Sequence, residues 1–230
     1  MIEETIYTCF TDMQLFGTLN DEENRWLDER CAIRKVGKGK YVKAPGEPCN
    51  YVYVLKEGRV KGGRFSDEGK ELISMILRPC EIFGLLSILE NANESFFYQA
   101  LENSTVGFIK TDDLKKLLKK NATLSFEILT VIGKRLLDAE QKHYSFVFQG
   151  IRGRLANFLL YLARDMGKKV GHEILVKHDL TQQEMANIIG TTRQTATTLL
   201  NELKRDDIIH YVDRTKFLIR DISLLEKMAD

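Results

Sequence analysis

From Cys31 to Ile109 apolar and polar residues alternate at near period two, in runs such as RKVGKGKYVKAPGE, NYVYVLKEGRVKGG, KELISMILRPCEIFG and STVGFIK. Val, Ile, Tyr and Phe in such runs, broken at Gly58, Gly62, Gly63, Gly69 and Gly84, predict the antiparallel strands of a barrel or sandwich, a β-roll. Pro45, Pro48 and Pro79 all fall at its turns, so no later helix is interrupted by proline. Ahead of it, LNDEENRWLDERC predicts a short amphipathic helix capped by Asn20.

After the strands the period lengthens. Thr111 is expected to cap a short helix through Lys119, and a longer helix runs from about Thr123 to Phe148. On a helical wheel Ile128, Ile132, Leu136, Ala139, His143 and Phe146 form one stripe, with Lys134, Asp138, Glu140 and Lys142 outside it. At about 1.5 Å per residue this helix is roughly 40 Å long, more than one small β domain covers. The stripe therefore predicts pairing with a second copy of the chain. Gly150 and Gly153 then break the pattern and mark a hinge, and RLANFLLYLARDMG reads as a helix stopped by Gly167.

The run LTQQEMANIIGTTRQTATTLLNELKR is rich in threonine yet helical in period. Thr181 followed by Glu184 is a capping box, Leu180 can staple onto Met185, and Gly190 permits a left-handed stop. Thr192 caps a second helix starting at Arg193. Two helices joined by about three residues, with the small Ala186 at the crossing, predict a helix-turn-helix. On the second helix Ala196, Leu199, Leu200 and Leu203 face inward, while Gln194, Thr198 and Asn201 face outward, flanked by Arg193 and Thr197. Such residues suit phosphates and base edges: arginine donates twice to guanine, Gln and Asn pair with adenine, and threonine offers a hydroxyl or methyl. IIHYV and KFLIR predict a wing whose Arg214 and Lys216 reach the phosphate backbone. The fold class is α+β: a β-roll over residues 1 to 120, a dimerisation helix over 121 to 149, and a winged helix-turn-helix over 150 to 230.

Charge alone would not have suggested DNA. The chain carries a formal net charge of +1, and residues 151 to 230 only +2. Cys9, Cys31, Cys49 and Cys80 form no CxxC pair, which argues against zinc ribbons and iron–sulfur motifs. His143, His172, His178 and His210 all lie outside residues 31 to 110, so a cupin-like metal enzyme lacks its ligands and no catalytic residue is assigned. No apolar run approaches the roughly 20 residues of a membrane span, and the acidic N-terminus lacks a secretory pattern. A cytoplasmic location is expected.

In this order the parts resemble the cAMP-receptor/FNR (CRP/FNR) family of bacterial transcription regulators over nearly the whole chain. The carriers are GEPCNYVYVLKEGRV, CEIFGLLSILEN, GRLANFLLYLAR and the helix-turn-helix run. The resemblance implies a homodimer on a palindromic duplex DNA operator, RNA polymerase as a partner, and base reading by Arg193, Gln194 and Thr198. Arg193 keeps the family's arginine; Gln194 and Thr198 depart from the cAMP receptor's glutamate and arginine, so its half-site does not carry over. The family's nucleotide cassette aligns its Gly-Glu pair with Gly84-Leu85, its Arg-Ser pair with Ser95-Phe96, and its adenine-contacting Thr-Ser pair with Ala139-Glu140. Both the carboxylate and the cation are missing there, which predicts weak or no cAMP binding. Phe83, Leu85, Leu86, Phe96 and Phe97 could line an apolar pocket open to haem, although such residues more often form plain core. A nucleotide-sensing module serving a protein partner would leave the helix-turn-helix without work. The sequence leaves the effector open.

Overall fold

A computed structural model describes residues 14–89 and 95–229. Cys9, and the Glu90-Asn91 end of the CEIFGLLSILEN run, lie outside the described residues. The chain divides into two compact units, Met1–Leu137 and Asp138–Asp230. None of the described helices is long and apolar enough to cross a membrane.

In the first unit Asn20 caps helix α1 (Asp21–Asp28), accepting from the Glu22 and Glu23 amides while the Glu23 carboxylate accepts from the Asn20 amide at 3.1 Å. Eight strands follow: β1 (Cys31–Val36), β2 (Tyr41–Lys43), β3 (Tyr51–Glu57), β4 (Val60–Phe65), β5 (Glu71–Leu77), β6 (Glu81–Phe83), β7 (Phe97–Ala100) and β8 (Ser104–Lys110). They form two antiparallel four-stranded sheets, ordered β1-β8-β3-β6 and β2-β7-β4-β5. The period-two rule explains how β3 serves two cores at once. Val52 and Val54 point to a helix-covered core with Leu27, Leu114 and Leu124, while Tyr53 and Leu55 point to the opposite core with Val60, Leu77 and Phe108. The β4–β5 register shifts at Gly62/Gly63, with Ser74 of β5 as the extra residue, and a Cβ on Gly63 would lie 2.1 Å from the Leu72 carbonyl oxygen.

Helix α2 (Thr111–Lys120) begins at Thr111 rather than being capped by it, because that hydroxyl is buried and donates to Ser87 Oγ at 3.1 Å. Helix α3 (Ala122–Phe148) has a cap absent from the sequence reading: Asn121 Oδ1 accepts from the Leu124 amide at 2.9 Å. The boundary between the two units falls within α3.

In the second unit α4 (Ile151–Met166) is followed by β9 (Gly167–Val170) and β10 (Glu173–Lys177), a hairpin not foreseen from sequence. Gly167 does end α4, but not through a left-handed backbone. Its φ is −72°, and glycine is needed because a Cβ would meet the Ala163 carbonyl oxygen at 2.1 Å. Then come α5 (Gln182–Ile189), α6 (Arg193–Arg205), β11 (Ile209–Tyr211), β12 (Lys216–Ile219) and α7 (Ile222–Ala229), the last also unforeseen. The sheet order is β11-β12-β10-β9. Leu155, Leu159, Met185, Ala186, Leu200 and Phe217 are among its buried core residues.

Candidate nucleic-acid interface and effector cavity

Helix α5 starts on the predicted capping box, with the Glu184 amide donating to Thr181 Oγ1 at 3.1 Å and the Thr181 amide to Glu184 Oε2 at 2.8 Å. It ends at Gly190, φ 67°, ψ 51°, the left-handed geometry glycine adopts without a Cβ penalty. Thr192 caps α6, accepting from the Thr195 amide at 3.2 Å, and the two hydroxyls lie 2.9 Å apart. Thr195 therefore belongs to the cap. Thr197 donates to Gln182 Oε1 at 2.9 Å and to the Arg193 carbonyl at 2.8 Å, so it ties α6 to the start of α5 instead of standing on the outward face. Thr198 bonds back to the Gln194 carbonyl at 3.1 Å and remains exposed with Arg193, Gln194 and Asn201. Ala196, Leu200 and Leu203 are buried and Leu199 half-buried. Glu202, the acidic residue of α6, pairs with Arg152 at 3.2 Å.

The wing turn is organised by Asp213. Its carboxylate accepts from the Thr215 amide at 2.7 Å and the Thr215 hydroxyl at 2.9 Å, and pairs with Lys216 Nζ at 3.3 Å. The Thr215 backbone hydrogen bond leads these contacts in lowering the Asp213 pKa to about 2. Lys216 is thus engaged within the wing and not extended toward a phosphate, while Arg214 is exposed at the tip.

At the expected hinge Gly150 lies just before α4, with open space where a Cβ would be. Gly153 is instead inside α4, where a Cβ would crowd the Met228 carbonyl oxygen at 3.3 Å. Packing of α7 against α4, not freedom, explains this second glycine. Arg154 donates from Nε to the Ile189 carbonyl and from one terminal nitrogen to the Gln149 carbonyl, both at 2.9 Å, and its guanidinium lies 4.9 Å from the Phe146 ring centre. That ring also covers Gly190, where a Cβ would come within 2.4 Å of it.

The predicted stripe on α3 divides. Ile128 is 4% exposed and belongs to the first unit's core, because Leu124 and Ile128 share the inward phase of the helix. Phe146 gives one side to Arg154. Ile132, Leu136, Ala139 and His143 are exposed, and the apolar surface is wider than predicted, adding Phe126, Leu129, Leu137, Tyr144, Val147 and Phe148.

The first unit contains a cavity of about 250 Å³. Of the predicted pocket residues Gly84, Leu85, Leu86 and Phe96 line it, joined by Ile132 and Leu136 from α3. Phe97 does not: it is fully buried, stacked on Phe65 at 4.9 Å and edge-on to Tyr41 at 5.9 Å. Phe83 is likewise core, stacked on Tyr53 at 5.1 Å, and the exposed Ser95 does not line the cavity. The cation missing from the aligned cassette is supplied from elsewhere, since Lys43, Arg64 and Arg135 all line the space. Lys43 is 3% exposed and donates to the Phe96 carbonyl at 2.7 Å; Arg64 lies 5.6 Å from the Phe96 ring centre; Arg135 donates to the Ile82 carbonyl. Burial foremost pushes the Tyr98 phenol up to about 12 and Tyr53 higher still.

Residues 33–121 match the model of the cyclic nucleotide-binding domain, and residues 153–228 that of the Crp-like helix-turn-helix domain. The chain is 32% identical over 174 residues to the global nitrogen regulator of Nostoc sp., covering 75% of this chain and 78% of that protein. It is 29% identical to a CRP-like cAMP-activated global transcriptional regulator of Mycobacterium tuberculosis, over 84% of this chain and 85% of that one. Among solved structures, a CooA mutant from Carboxydothermus hydrogenoformans superposes with a TM-score of 0.78 at 28% identity, covering 96% and 98% of the two chains. FixK2 from Bradyrhizobium japonicum shares the fold with a TM-score of 0.77 at 18% identity, over 87% and 98%.

Proposed function

The chain belongs to the CRP/FNR family of transcription regulators, and on that premise we propose that it acts as a cytoplasmic homodimer reading a palindromic operator. Its β-roll cavity is the effector site, and RNA polymerase is its partner at the promoter. The observation that carries the DNA reading is the exposed face of α6. Arg193, Gln194, Thr198 and Asn201 point outward from a helix whose own acidic residue is paired with Arg152. Arg193 reads guanine, Gln194 and Asn201 read adenine, and Thr198 supplies a methyl or hydroxyl. Arg214 and the Thr192 end of α6 meet the phosphate backbone and position the domain.

Dimerisation follows from the apolar residues that α3 leaves exposed, since Leu129 is 61%, Leu136 59% and Leu137 65% accessible on one helix. The same helix contributes Ile132, Arg135 and Leu136 to the cavity. A ligand there touches the element that forms the dimer seam, so it can bias a two-state arrangement only through differential contacts with α3. A cyclic nucleotide is disfavoured, because among the described residues no acidic side chain lines the cavity to accept from a ribose.

The test is selection of duplexes from a random pool with purified protein. Enrichment of a palindrome with half-sites about 34 Å apart supports the reading; failure to enrich any sequence refutes it. Leu136→Glu, which puts a charge in the seam without touching α6, should yield monomers by sedimentation and abolish selection. A dimer that survives this substitution contradicts the assigned seam.

A further inference from the structure

The cavity's lining has a lopsided chemistry. Lys43, Arg64 and Arg135 line it, and among the described residues no Asp or Glu does. Burial first among causes raises the pKa values of Tyr53 and Tyr98, so both phenols stay protonated and able to donate near neutral pH. Three backbone acceptors there are already engaged. The Phe96 carbonyl takes Lys43, the Ile82 carbonyl takes Arg135, and the Tyr51 carbonyl takes the Ser87 hydroxyl at 3.3 Å. Guanidinium groups carry five N–H donors each and no acceptor. A hydroxyl-rich ligand would bring O–H donors of its own to a wall that consists mostly of donors, whereas an acceptor-only anion meets charge-assisted partners there.

The walls are aromatic as well as positive. Tyr53 and Tyr98 have ring centres 5.8 Å apart, and Phe96 and Tyr98 5.3 Å, with tilted planes in both pairs. Such faces and edges accommodate a flat ring better than a flexible chain. Resting on the effector reading above, we infer that this cavity takes a small aromatic carboxylate, its ring among Tyr53, Phe96 and Tyr98 and its anionic group toward Lys43, Arg64 and Arg135. The site lies against Ile132 and Leu136 of α3, so occupancy adds contacts along the helix assigned to the seam.

Calorimetry on the dialysed full-length protein, without DNA, tests this with 2-naphthoate, its neutral carboxamide, octanoate and cAMP. The expected result is a 2-naphthoate Kd tighter than about 1 mM, with each of the others at least about tenfold weaker. Arg64→Gln should weaken 2-naphthoate by about tenfold or more while the unfolding temperature holds, since Arg64 is exposed on β4. Equal affinity for the carboxamide overturns the anion requirement; tighter octanoate overturns the aromatic one. Tighter cAMP, or no binding of 2-naphthoate at about 10 mM, overturns the ligand class. Operator selection runs separately, so an intact operator with no carboxylate binding sinks this inference alone. Carboxylate binding that leaves operator affinity unchanged keeps the site and removes its effector role.

Discussion

Gly190→Ala tests how the turn of the helix-turn-helix is held. Gly190 has φ 67°, where an L-residue costs about 1 to 2 kcal/mol. Its new Cβ would also lie 2.4 Å from Phe146 Cε1 and 3.1 Å from Cζ, so the ring must shift. Overpacking of this kind costs about 1 to 3 kcal/mol. Displacing the ring from Arg154 forfeits a partly exposed cation–π contact worth about 0.5 to 1 kcal/mol. The single substitution should therefore destabilise the second unit by roughly 2.5 to 6 kcal/mol. In a Phe146→Ala background only the backbone cost remains, about 1 to 2 kcal/mol. Urea unfolding followed by circular dichroism reads the second unit, which holds no tryptophan, while Trp26 fluorescence reports the first and should keep its midpoint. Equal cost of Gly190→Ala in both backgrounds would refute the account of Phe146 as the packing partner of this turn.

Arg193→Ala should weaken the selected operator by roughly 1 to 3 kcal/mol and relax one base position; uniform weakening across all sequences would reassign Arg193 to the phosphates. Thr181→Ala removes the hydroxyl half of a capping box and should cost about 1 kcal/mol in urea unfolding, with Thr181→Ser restoring it. For Asp213 the folded-state pKa is depressed to about 2 from 3.8, so its contribution to the wing is full above the unfolded value and is lost as pH falls toward 2. At pH 3 carbon NMR should find this carboxylate still mostly ionised, and half-titration near 3.8 would show that the Thr215 hydrogen bonds do not form in solution.

Local rules were legible in the sequence because local physics decides them. Asn20, Thr181, Thr192 and Gly190 end or start helices as their side chains, or lack of one, require. Period-two alternation located the β-roll, and the order of its parts carried the family likeness. Contacts between distant segments were not legible. Lys43, Arg64 and Arg135 come from β2, β4 and α3, and only folding brings them to one cavity. Thr197 lies on the outward side of a helical wheel, yet Gln182, fifteen residues earlier, claims its hydroxyl. Gly153 looked like freedom and marks crowding, since a glycine in sequence reads the same whether its missing Cβ leaves space or fills none. The β9–β10 hairpin stayed hidden because GKKVGHEILVK is short and strongly charged, with a single apolar cluster.

On α6 two jobs fall to two sets of side chains. Thr192, Thr195, Thr197, Ala196, Leu200 and Leu203 hold the helix in place, and Arg193, Gln194, Thr198 and Asn201 face outward. Because the sets do not overlap, outward residues can be exchanged with little effect on folding. On the proposed reading, descendants of such a gene change regulon by a few substitutions, and grafting another regulator's reading residues here becomes an engineering operation on specificity alone.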